Sequence, residues 1–146
     1  MDPEKIFELT HYLFNRHDMK AKTNPLSSRS KAADLEPGEP ALINVEQLIR
    51  QAKEDAAWKT AKLYSKTLLK DAGLRIVLIG IHEASSIEMH ESEATICLQV
   101  LEGALLYTTE QKSLLMNEGE LLTIEKGVQH GLSAKIPTLF LMTKAV

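Results

Sequence analysis

His90-Glu91-Ser92-Glu93-Ala94-Thr95-Ile96-Cys97-Leu98-Gln99-Val100-Leu101-Glu102-Gly103 and, further along, Gly119-Glu120-Leu121-Leu122-Thr123-Ile124-Glu125-Lys126-Gly127-Val128-Gln129-His130 are the stretches that decide the fold. Each joins a histidine to a strand pattern punctuated by glycine. Gly103 lets the chain turn after Leu101-Glu102, and Gly119 and Gly127 stand at strand junctions where a positive φ is often required. Outward from these stretches the same period of two runs from about residue 60. It predicts strands over 60–69, 74–82, 87–90, 95–101, 104–109, 111–116, 120–125, 129–134 and 138–144. Asp71-Ala72-Gly73, Asn117-Glu118-Gly119, Lys126-Gly127 and Ile136-Pro137 supply turns between them. Many short strands at regular spacing predict a mainly β domain, closed as a barrel or stacked as a sandwich.

The two stretches resemble the paired signature motifs of the cupin family, G-x5-H-x-H-x3–4-E-x6-G and G-x5-P-x-G-x2-H-x3-N. The resemblance covers roughly residues 60–146 and implies a single cupin jelly-roll β-barrel. Anchored on Gly103, the first motif's histidines fall at His90 and Ser92, its glutamate at Ile96 and its opening glycine at Ala84. In the second motif Gly119, Gly127 and His130 match, the proline is Glu125 and the closing asparagine is Ala134. Cupins resemble one another in holding a divalent metal, usually through three histidines and a glutamate. Here His90 and His130 match two of those four positions.

A metal such as Fe, Zn, Mn or Ni would need a further protein ligand. Strict alternation along the strand turns Glu88 inward with His90 and sends Glu91 and Glu93 outward. His82, closing a strand with Leu74, Ile76, Leu78 and Gly80, is a further candidate. The competing expectation keeps the histidines as neutral hydrogen-bonding groups at the barrel mouth with Ser92 as a partner. Ile96, Leu98, Val100 and Leu122 then line an apolar interior. The residues expected to meet a ligand are His90, Ser92, Ile96, Leu98 and His130.

The 146-residue chain has room for one core-forming domain. Residues 2–19 carry a short amphipathic pattern, with Asp2-Pro3 as a helix start and Ile6, Phe7, Leu9, Leu13 and Phe14 on one stripe. Residues 20–42, broken by Asn24-Pro25, Ser27-Ser28, Pro37-Gly38 and Pro40 and short of large apolar residues, read as a linker, so 1–42 is expected to be an N-terminal helical extension made of that helix and a flexible linker. A second helix over residues 45–59, capped by Asn44, leads into the barrel of residues 60–146.

Net charge of −3 argues against a dedicated nucleic-acid binder. The single cysteine, Cys97, excludes an intrachain disulfide. No apolar run reaches the roughly 20 residues of a membrane span, and no secretory signal pattern opens the chain, so a cytoplasmic protein is expected. The edges of an open sheet need cover, which together with the resemblance implies a homodimer. Two functions follow as expectations. One is a small-molecule-binding barrel without a complete metal site. The alternative is a metal-dependent enzyme, dioxygenase- or isomerase-like, using His90 and His130 with a non-standard third ligand. A protein whose barrel only presents surfaces is a third.

Overall fold

The structure, a computed structural model, describes Gly38 and residues 40–145. The helix expected over residues 2–19 and nearly all of the expected linker lie outside the described residues. Among the described residues there are nine strands: β1 (Leu63–Lys70), β2 (Leu74–Ile81), β3 (Ser85–His90), β4 (Ile96–Glu102), β5 (Ala104–Thr108), β6 (Ser113–Asn117), β7 (Leu121–Ile124), β8 (His130–Ala134) and β9 (Thr138–Ala145). Each falls where alternation placed one, with ends moved by up to three residues. The largest shift is at β1, because Thr60 closes a helix instead of opening a strand.

Two antiparallel sheets face each other. One has the order β1-β2-β9-β4-β7, the other β3-β8-β5-β6. Alternation along each strand sends every second side chain between them. On β4, Ile96, Leu98 and Val100 point in and are buried, while Cys97 and Gln99 are half-buried outside. Val77, Ile79 and Ile81 of β2, Phe140 and Met142 of β9, and Leu105 and Tyr107 of β5 join the same interior cluster. Burying one such aliphatic or aromatic side chain stabilises the fold by about 1.5–3 kcal/mol, so this cluster is the main source of cohesion.

The single helix expected over 45–59 is two. The first, α1 (Val45–Glu54), starts where Asn44 accepts a hydrogen bond from the Gln47 amide at 2.9 Å. It stops at Asp55, whose extended backbone ends one helix and whose side chain caps the next, α2 (Ala56–Thr60), through the Ala57 amide. The two lie over the outer face of β1, β2 and β9. Leu48, Ala52 and Trp58 bury there against Tyr64, Leu68, Leu78 and Leu139 in a second apolar cluster. Gly80 makes the approach close, since a Cβ there would sit 2.4 Å from the Trp58 ring. Among the described residues no helix is long and apolar enough to cross a membrane.

Candidate functional site

The connections 91–95 and 125–129 join the two sheets at the same end of the barrel. They follow β3 and β7 and precede β4 and β8. His90 closes β3, His130 opens β8, and the two are register partners. Their ring centroids lie 4.5 Å apart at an interplanar angle of 55°. The Tyr107 ring stacks on His130 from the other side, 5.7 Å away at 24°. The rear of this group is the apolar interior, and Ile96 and Leu98 are its first two inward residues on β4.

Each imidazole is fixed in the same way. His90 Nδ1 bonds the Glu88 carbonyl at 2.9 Å, and His130 Nδ1 bonds the Val128 carbonyl at 2.9 Å. A carbonyl only accepts, so both Nδ1 atoms carry the proton. In a neutral ring held this way Nε2 holds the lone pair. Both Nε2 atoms are buried. Burial pushes the His130 pKa below its ordinary 6.5, outweighing the Val128 carbonyl bond, which favours the charged ring. His130 is therefore neutral at pH 7.

A register shift sets His90 inward. Between Ile87, opposite Leu132, and His90, opposite His130, β3 carries two residues while β8 carries only Gly131. This bulge lets residues three apart both face the interior. It also overturns the expectation for Glu88, which is exposed and whose side chain does not join His90. His82 is a second correction. The even residues of β2 face the helices, and His82 stacks on Trp58, with centroids 4.1 Å apart, and bonds the Trp58 carbonyl through Nε2. Glu91 and Glu93 are exposed. Ser92 is buried, its Oγ accepts from the Ala94 amide at 3.2 Å, and its carbonyl accepts from the Gly127 amide at 2.8 Å. It thus ties the two connections at the mouth together.

Sequence reasoning missed Tyr107, although alternation with Leu105 marks it as inward. It also missed Arg75 and Lys144, which continue the inward parity of Val77 and Met142 to the same end of the sheet.

No protein-family model and no curated protein matches the sequence. Solved structures do. A cupin-2 domain protein from Shewanella frigidimarina superposes with a TM-score of 0.59 at 17% identity, over 72% of this chain and 95% of that one. The chain has the cupin fold. A conserved protein of unknown function from Streptococcus pyogenes gives a TM-score of 0.58 at 18% identity, covering 80% and 94%. A cupin superfamily protein from Desulfitobacterium hafniense gives 0.55 at 15%, covering 57% and 77%.

The cupin fold raises the question of a metal, and the described residues do not fit the usual set. None of their His, Cys, Asp and Glu side chains form a group of three able to hold an ion. At the position of the family glutamate stands Ile96, 1% exposed and in the apolar core. At the position of the second histidine stands Ser92, whose oxygen serves a turn. Two imidazoles alone fall short of the three protein ligands that metal sites of this kind use.

Proposed function

We propose that this cupin binds a small molecule at the His90–His130 end of its barrel, without a complete metal site. The observation that carries the reading is the meeting of His90, His130 and Tyr107 at one end of the barrel, where a backbone carbonyl holds Nδ1 of each imidazole and so fixes its orientation. A small molecule with polar groups suits such a cluster of oriented polar rings beside an apolar interior. Near the rings, a depression of about 580 Å³ is lined by Tyr107 and Val128 together with Thr109, Gln111 and Gln129, and neither histidine lines it.

The test is a ligand screen on the full chain, followed by the imidazole NMR resonances. A binder should shift the His90 and His130 signals, and His130→Gln should weaken it by roughly 10-fold, the worth of one buried hydrogen bond. Binders that leave both rings unmoved would refute the reading.

The metal-dependent alternative, dioxygenase- or isomerase-like, needs a third donor. Stoichiometric iron, zinc, manganese or nickel in purified protein, lost in His130→Ala, would establish it. A homodimer belongs to the same proposal. The outer strands β6 and β7 expose Leu114, Leu115 and Leu121, and self-association would cover them. A monomer in light scattering at micromolar concentration would refute that part.

A further inference from the structure

A separate cleft opens at the end of the barrel away from the histidines. Strands β4 and β8 both begin at the histidine end and run away from it. The turns that follow them therefore lie at the far end, beside the turn between β6 and β7. These three turns and both helices enclose a cleft of about 400 Å³. One wall is apolar. Trp58 and Leu139 are buried behind it, and Ile136, 49% exposed beside Pro137, adds apolar surface that water still reaches. The other side is charged. Lys53 of α1 pairs with Glu102 at the end of β4. Across from them Glu118 Oε1 accepts from the Gly103 amide at 3.1 Å, which holds that carboxylate at the cleft.

The volume suits a small organic molecule, and so does an apolar wall with a few polar groups converging on it from separate elements. The charges decide which kind. Two carboxylates stand against one ammonium in the lining, so the cleft favours a cation over an anion. Glu120 and Lys135, in the same turns, offset one another. A carboxylate oxygen carries two lone pairs, so Glu118 can accept from an ammonium and keep its bond to the Gly103 amide. The Lys53–Glu102 pair shows that an ammonium already fits one rim of the cleft. A second ammonium arriving there competes with Lys53 for Glu102 and is repelled by it.

We propose that this cleft binds a small organic amine, its ammonium at Glu102 and Glu118 and its hydrocarbon body against Trp58 and Ile136. Lys53 sets the affinity, because it occupies an acceptor that the amine uses. The site stands independently of the ligand reading given to the His90–His130 end.

The experiment titrates the full chain at pH 7 with cyclohexylamine, cyclohexanol and cyclohexanecarboxylate. Trp58 is the only tryptophan in the chain, so its fluorescence reports on the cleft directly. The Ile136 methyl and His130 ring resonances locate the binding by NMR. The amine should bind with saturation, shift Trp58 emission and the Ile136 methyls, and leave His130 unmoved. The alcohol and the acid should bind more weakly. Glu118→Gln, which retains an acceptor for the Gly103 amide, should weaken amine binding by roughly 2- to 5-fold, the range of a solvent-exposed ion pair. Ile136→Ser should weaken it by roughly 3- to 10-fold through lost apolar contact. Lys53→Ala should tighten it. Circular dichroism checks the fold of each variant. Ile136 and Lys53 are exposed, so their variants carry the test if Glu118→Gln does not fold. Cyclohexanol binding as tightly as the amine, unchanged affinity in folded Glu118→Gln, or weaker binding in Lys53→Ala would overturn the proposal. So would an amine titration that moves neither Trp58 nor Ile136.

Discussion

Replacing Gly103 by alanine should destabilise the fold by about 2–5 kcal/mol, and the structure separates two contributions. Gly103 joins β4 to β5 with φ +95°, a conformation that costs a residue with a Cβ about 1–2 kcal/mol. The second contribution is space. An added Cβ would stand 2.5 Å from Thr138 Oγ1, 2.6 Å from the Pro137 carbonyl oxygen and 2.8 Å from Thr138 Cα. Two of these atoms are backbone and cannot rotate away. Thr138 Oγ1 also accepts from the Ala104 amide at 3.1 Å, so pushing it aside breaks the clamp between β5 and β9. Overpacking of this kind costs about 1–3 kcal/mol. Gly119 is the internal control. Its φ is +83°, and nothing lies within 4 Å of its Cβ position, so Gly119→Ala should cost only the backbone part, about 1–2 kcal/mol. Urea unfolding of both variants, with equal m-values, isolates the steric part as the difference. A domain with a total stability of about 5–15 kcal/mol will report such a difference clearly. Equal losses in the two variants would refute the steric reasoning, and with it the close packing of the β4–β5 turn on β9.

Further outcomes follow from the same coordinates. His130 has a folded pKa below its unfolded 6.5, so the unfolded state binds more protons between the two values. Stability should therefore fall as pH drops below 6.5, by at most about 1.4 kcal/mol per unit, and His130→Gln should flatten that part of a pH series of unfolding curves. For Lys144, lowered from 10.5, the wild-type protein should gain stability as pH rises through the lowered value towards 10.5. Lys144→Met should lack that gain, and denaturation between pH 7 and 10.5 compares them. Trp58→Ala should cost about 3–5 kcal/mol, because the indole is buried against Tyr64 and over Gly80. Hydrogen exchange should then show α1 losing protection, and unchanged protection would argue against the helices packing on the sheet. Lys53→Ala, which removes the half-exposed ion pair with Glu102, should change stability by less than about 1 kcal/mol in the same unfolding assay.

The sequence by itself determined the strands and the turns between them. Period-two burial of Ile96, Leu98 and Val100 and the turn glycines are local properties, written in neighbouring residues. The resemblance to the cupin motifs implied that His90 and His130 meet, and the structure makes them register partners. Only the tertiary structure decided which carboxylates and imidazoles share that end. The bulge at Glu88-Met89 arises from pairing with Gly131, and nothing in residues 85–90 alone announces it. His82 faces the helices because Trp58 of α2 covers that side of β2, a contact between separate elements. Arg75 and Lys144 become neighbours through the register of β2 on β9, strands far apart in the chain. Alternation fixes which side of a strand a residue takes, whereas register and bulges, set by the partner strand, fix what it meets there.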